Sequence, residues 1–206
     1  MSIKAFVFDC GGVVLRDGDL TPYRAWAARL GLTEAELRQR LWAGESWALA
    51  ERGEISEEDF WFHVAPSLGL QDQDTIRRLA EDIWSTWRVD QDVLALIDEL
   101  RQTHRVAMLS NATDVLEAKL HHVYGVADRF EPILNSARLG LAKPDQRVYA
   151  TLCTELALDP REIVFVDDRA GNIVSAAAQG LHVAWFVGAA ELRRQVASLC
   201  HPTASE

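Results

Sequence analysis

The sequence predicts a three-layer α/β fold, a Rossmann-like parallel sheet between helices, with an all-helical cap inserted after its first strand. Three observations carry this. Residues Ala5–Phe8 form an unbroken apolar run halted by Asp9-Cys10-Gly11-Gly12; residues 21 to 87 recur at helical spacing with no strand-like run; and from Val89 onward helical and strand-like segments alternate.

A run as short as Ala5–Phe8, rich in Phe and Val and stopped by paired glycines, reads as a buried parallel strand. Asp9 then stands at its carboxyl end, where open α/β sheets bind their ligands. Gly11 and Gly12 let the backbone approach a bound group closely. Taken alone, Asp-x-Gly-Gly equally describes an acid that caps a turn.

In the helical stretch, Tyr23 to Leu30, Glu34 to Leu49, Glu57 to Val64 and Thr75 to Trp87 each show apolar residues three and four apart. Pro22 suits a first turn, Thr33 and Ser56 suit N-caps, and Gly31 and Gly69 suit helix ends. Six of the seven tryptophans fall here: Trp26, Trp42, Trp47, Trp61, Trp84 and Trp87. A helical unit this small needs large side chains for its own core, so most are expected inside it, with one or two facing a substrate pocket.

The alternating part begins with an amphipathic segment at Val93 to Leu100. Val106 to Leu109 is strand-like and ends at Ser110-Asn111; Asp114 to Tyr124 is helical; Ile133-Leu134 is a brief strand. Gln146 to Leu156 is helical, Ile163 to Val166 is a strand ending at Asp167-Asp168, Ile173 to Gln179 is helical, and His182 to Val187 is a strand. Repeated βα units imply a parallel sheet with right-handed crossovers. The expected organisation is residues 1–15 and 89–206 as the core and 16–88 as the cap, with a frayed tail from His201 to Glu206.

With 206 residues, the chain has room for one well-buried domain plus an insertion. Its net charge of -10 and lack of a basic stripe argue against nucleic acid and anionic membranes as partners. No apolar stretch reaches the roughly 18 residues of a membrane span, and no signal-peptide pattern opens the chain, so the cytoplasm is the expected location. Cys10, Cys153 and Cys200 match neither a metal-ligand spacing nor a disulfide framework and are expected to be free thiols. The assembly is expected to be a monomer or a homodimer.

Three strand ends therefore deliver Asp9, Ser110-Asn111 and Asp167-Asp168 to one rim, and Lys143-Pro144-Asp145 opens the helix after the third strand. Each has a structural explanation alone; their order together resembles that of the haloacid dehalogenase-like hydrolase superfamily along nearly the whole chain. Phe8-Asp9-Cys10-Gly11-Gly12-Val13 is similar to its first motif, Leu109-Ser110-Asn111 to the second, Lys143-Pro144 to the third, and Val166-Asp167-Asp168 with Gly171-Asn172 to the fourth. The helical insertion resembles the superfamily's cap. Glu51 to Ser56 resembles a stretch of the glucose-1-phosphatase-type sugar-phosphate phosphatases.

The resemblance implies an Mg²⁺-dependent phosphatase acting on a small phosphate ester, expected to be a sugar phosphate, through an aspartyl-phosphate on Asp9. Asp9, Asp168 and the Gly11 carbonyl are the implied metal ligands, with Asp167 beside them directly or one layer out. Lys143 is the implied catalytic cation; it also binds substrate, with the Ser110 hydroxyl and an Asn111 backbone N–H.

Gly11 departs from the pattern. Most phosphatases of the superfamily carry an aspartate there as general acid and base, a role typically worth about 10² to 10⁴ in rate. Either the leaving group needs little help, a residue such as Asp17, Asp19 or His63 substitutes, or catalysis is weak. Two other readings follow: a metal-free 2-haloacid dehalogenase using Asp9 on carbon, and a binding or regulatory protein that keeps the fold.

Overall fold

The computed structural model describes residues 2–200. In chain order the elements are β1 (Ala5–Phe8), β2 (Leu15–Asp17), α1 (Thr21–Leu30), α2 (Glu34–Trp42), α3 (Glu45–Glu51), α4 (Glu57–Val64), α5 (Gln73–Trp84), β3 (Trp87–Val89), α6 (Gln91–Leu100), β4 (Arg105–Ser110), α7 (Leu116–His122), β5 (Ile133–Asn135), α8 (Ser136–Leu139), α9 (Gln146–Leu156), β6 (Ile163–Asp167), α10 (Ala170–Ala178), β7 (His182–Trp185) and α11 (Ala189–Cys200). Short 3₁₀ turns at Ala65–Leu68, Ala127–Arg129 and Pro160–Glu162 join them.

The sheet is parallel, in the order β5-β4-β1-β6-β7. With β4 on one side and β6 on the other, β1 is covered on both faces, which is why its four residues are all apolar and fully buried. Successive side chains alternate between faces. Phe6 and Phe8 join the apolar cluster under α6 and α11, while Ala5 and Val7 join the one under α9 with Tyr149 and Phe165. Burying a side chain such as Phe6 stabilises the fold by about 1.5–3 kcal/mol.

The helices α1 to α5 enclose an apolar cluster of their own, centred on Tyr23, Leu37, Leu41, Phe60, Leu79 and Ile83. Thr33 caps α2 in a reciprocal box with Glu36, Ser56 caps α4 and Asp72 caps α5 through side-chain bonds to the first turn. Gly31 and Gly69 close their segments in the left-handed conformation, as their positions predict.

Four differences from the sequence reading have local causes. The expected helix over Glu34 to Leu49 is two, because the chain turns extended at Gly44, which N-caps α3. Trp87 is not helical: Thr86 closes the end of α5 onto the Ile83 carbonyl, and Trp87 opens β3, paired antiparallel with β2. A three-residue strand is too short to show a period. The expected boundaries at 15/16 and 88/89 both fall inside this ribbon. Helices α8 and α11 went unassigned, although Leu192 and Val196 of α11 are buried one turn apart. The expected frayed tail, His201 to Glu206, lies outside the described residues. Among the described residues, no helix is long and apolar enough to cross a membrane.

Contacts at Glu57 and at Gly53 help dock the helical unit on the sheet domain. Glu57 at the start of α4 accepts hydrogen bonds from Lys119 Nζ (2.6 and 2.9 Å) and Thr113 Oγ1 (2.7 Å), and its backbone N–H donates to Asp114 (2.8 Å). Gly53, at φ +69°, lies so close to α8 that an added Cβ would stand 2.0 Å from the Ala137 carbonyl oxygen. Gly53→Ala is expected to cost about 1–3 kcal/mol in urea unfolding, because backbone meets backbone there with no side chain free to yield.

Candidate active site

The site is assembled where β1, β4 and β6 end side by side. Asp9 follows β1 and is held by its own N–H on the Val166 carbonyl (2.8 Å) and by the Cys10 N–H on its Oδ1 (2.7 Å). Lys143, 4% exposed, reaches between the strands. Its Nζ donates to Asp9 Oδ1 (2.8 Å), Asp167 Oδ2 (2.7 Å) and the Leu109 carbonyl (2.9 Å), which uses all three ammonium hydrogens.

Asp167 is fully buried and saturated. Its Oδ1 accepts from the Arg169 N–H (2.8 Å) and Asn172 Nδ2 (3.0 Å), while its Oδ2 accepts from Lys143 and again from Asn172 (3.0 Å). The Tyr149 hydroxyl in turn holds the Asn172 carbonyl (3.0 Å). Asp168 is more exposed and faces the cavity. Gly12 makes room for it: at φ +89°, an added Cβ would stand 2.4 Å from Asp168 Oδ2.

Asn111 is employed differently from expectation. The next helix starts only at Leu116, so no helix terminus reinforces the Asn111 backbone N–H. Its side chain instead grips Lys143, accepting from the Lys143 N–H (2.8 Å) and donating to the Lys143 carbonyl (2.8 Å). The same amide nitrogen donates to Glu51 of α3 (3.1 Å), a bond between helical unit and sheet domain. Ser110, 3% exposed, lies on the cavity floor. Beyond it, Ser136 accepts the Ala112 N–H (3.0 Å) and Asn135 donates to the Thr113 carbonyl (2.8 Å), fixing the loop after β4.

Oxygens of Asp9, Asp167 and Asp168 lie within 4.8 Å of one another. One buried ammonium faces three carboxylates. Burial, opposed by Lys143, pushes Asp9 up to about 7, and burial with the Asp167 charge raises Asp168. Burial pulls on Lys143 the other way, but Asp9 and Asp167 outweigh it and hold the ammonium charged. Such an imbalance among hard oxygen donors fits a divalent cation such as Mg²⁺.

Above this floor lies a cavity of about 480 Å³. Its walls include Trp42, Trp47, Trp84, Trp87 and Tyr124. Four tryptophans face it where one or two were expected. Tryptophan density was the available signal, but which indoles turn inward depends on packing between α2, α3, α5 and β3. An added Cβ on Gly11 would meet Trp87 Cη2 at 3.4 Å, an ordinary van der Waals contact, so the indole edge lies beside that position.

The three suggested substitutes for the missing acid are placed as follows. Asp17 lines the cavity but is bonded to Arg38 Nη2 (3.0 Å). Asp19 accepts the Thr21 N–H (2.8 Å) and hydroxyl (2.6 Å), so it serves the start of α1. His63 is exposed on α4 and is not among the lining residues. Cys10, Cys153 and Cys200 are free, as expected, and burial pushes the Cys10 thiol far up, which leaves it a filler.

Known proteins resemble this chain in sequence and in fold. The chain is 26% identical to a sesquiterpene phosphatase of Aspergillus oryzae over 181 residues, covering 87% of this chain and 88% of that one. It is 24% identical to an (S)-2-haloacid dehalogenase of Burkholderia cepacia, covering 88% and 81%. A solved structure of an enzyme of the same superfamily from Bacteroides thetaiotaomicron, in complex with magnesium and inorganic phosphate, superposes with a TM-score of 0.72 at 22% identity, over 89% of this chain and 93% of that one. The profile of the family described as haloacid dehalogenase-like hydrolase matches residues 3–180. With the sheet order and that match in agreement, the chain belongs to the haloacid dehalogenase-like hydrolases.

Proposed function

We propose that this hydrolase is an Mg²⁺-dependent phosphatase that transfers a phosphoryl group from a small organic ester to Asp9 and then to water. One observation carries the reading: three carboxylates converge within 4.8 Å with a single ammonium bonded to two of them, an excess of negative charge that suits a divalent cation beside a phosphate and would repel a bare anionic substrate. The Bacteroides relative with bound magnesium and phosphate supports it.

In this reading Asp9, Asp168 and the Gly11 carbonyl would hold Mg²⁺, which would screen the charge of carboxylate and phosphate from each other. Asp167, with both oxygens already taken, positions Lys143. The ammonium favours the Asp9 anion against its burial and adds positive charge beside the phosphoryl group, whose oxygens the Ser110 hydroxyl can meet. An Asp9 oxygen forms the new bond to phosphorus as the ester P–O bond breaks, and water then cleaves the acyl phosphate. A sugar phosphate was the sequence expectation; four indoles around the cavity favour an ester whose organic part is apolar, as does the sesquiterpene phosphatase relative.

The test is release of inorganic phosphate from a panel of esters with Mg²⁺, abolished by EDTA and restored by Mg²⁺. Binding is read separately: Mg²⁺ should raise the Tm of the wild type, and the rise should shrink severely in Gly12→Ala, whose new Cβ displaces Asp168. Gly11 favours the dehalogenase as the second reading, since attack on carbon needs no acid at that position. Halide release from 2-chloropropionate in EDTA, without phosphate release in Mg²⁺, would establish it instead.

A further inference from the structure

We propose that this site expels its leaving group without a proton donor from the protein, and that it is built for phosphate monoesters of flat, acidic alcohols: aryl or enol phosphates. This rests on the phosphatase reading and narrows it.

Two independent features converge on that class. The first is the floor. Gly11 supplies no side chain, and the Trp87 ring edge packs beside it, in van der Waals contact at 3.4 Å with where a Cβ would stand. Trp87 is set there by the β2–β3 ribbon, in register with Asp17. Its Nε1 is buried with no hydrogen-bond partner among the described residues, so packing holds the indole. Of the other ionisable side chains on the walls, Asp17 is engaged with Arg38, Lys119 with Glu57 and Arg16 with Asp90, which leaves the Tyr124 hydroxyl as the group whose removal tests for a donor.

The second feature is the wall. Trp42, Trp47, Trp84 and Trp87 offer ring faces and edges to whatever the phosphoryl group carries. Flat π-systems gain from stacked or edge-on indoles beyond the area they bury. An aryl ester satisfies both features at once. As Asp9 attacks phosphorus, the P–O bond breaks and its electron pair leaves on a phenolate, whose conjugate acid has a pKa of about 10 and takes its proton from solvent. Water then cleaves the aspartyl-phosphate, returning the carboxylate and inorganic phosphate. An alkyl ester must leave as a far more basic alkoxide, and Gly11 offers it no acid.

The experiment compares kcat/KM for p-nitrophenyl, phenyl and benzyl phosphate with the Mg²⁺-loaded protein. Phenyl and benzyl phosphate carry the same ring and differ in leaving-group basicity. Phenyl phosphate is expected to exceed benzyl phosphate by about 10² or more, the factor a positioned acid would otherwise supply. Gly11→Asp combined with Trp87→Ala, which adds an acid and clears its space, should raise benzyl relative to phenyl turnover at least about tenfold. Tyr124→Phe should leave the ratio unchanged. Benzyl turnover within tenfold of phenyl in the wild type, or a selective loss of benzyl turnover in Tyr124→Phe, would overturn the inference and leave the phosphatase reading standing. No release from p-nitrophenyl phosphate, and no phosphoryl group on Asp9, would overturn both.

Discussion

Asp9→Asn is expected to lower Mg²⁺-dependent phosphate release by about 10⁴ or more while the metal-free protein becomes more stable. Both effects come from the same burial. Asp9 is 6% exposed, shares its neighbourhood with two other carboxylates, and is pushed up to about 7. Between about pH 4 and 7 the folded metal-free protein therefore holds a proton that the unfolded chain has released. Where the unfolded state binds fewer protons, stability falls as pH rises. Asp9 thus contributes stability that is fully present below its unfolded value and is lost as pH climbs through about 7. Urea unfolding at pH 5 and pH 8 in EDTA should show this decline in the wild type and a smaller one in Asp9→Asn. A variant with wild-type phosphate release would remove Asp9 from the chemistry.

Lys143→Met is expected to have the opposite sign in stability and the same sign in activity. The ammonium is the cation shared by Asp9 and Asp167, at 2.8 and 2.7 Å, and it also satisfies the Leu109 carbonyl. Removing it leaves buried carboxylates uncompensated, a loss typically worth about 3–5 kcal/mol. Lys143→Arg should not rescue it, since a planar fork cannot place three donors on partners arranged around one nitrogen. In the double variant Asp9→Asn/Lys143→Met the cost should be smaller than in Lys143→Met alone, because one of the orphaned charges has gone. Equal costs in the two would mean that Asp167 alone sets the penalty.

The fold was legible because buried parallel strands leave a plain mark: Ala5–Phe8, Val106–Leu109 and Ile163–Val166 are apolar runs that stop at polar residues, and those residues border the candidate site. The positions of Asp9, Ser110 and Asp168 followed from strand ends; that of Lys143 followed from the helix start it precedes and from the resemblance. What Asn111 does was not legible, because its grip on Lys143 spans 32 residues of chain and depends on how two loops meet. The β2–β3 ribbon was hidden by its length and by charged Arg16 and Arg88 facing each other across it. The inward turn of Trp42, Trp47, Trp84 and Trp87 was hidden for a different reason: helical spacing gives a face, and only packing decides what that face meets.

The helical unit has its own apolar cluster and joins the sheet domain covalently through two short strands paired with each other. That makes it transplantable. A different bundle spliced in place of residues 18–86, with ends as close as Asp17 and Trp87 and an acid to meet Lys119, would inherit an intact phosphoryl-transfer floor and bring a new wall. In such a graft the one wall tryptophan left behind, Trp87, is the one whose ring edge packs beside Gly11.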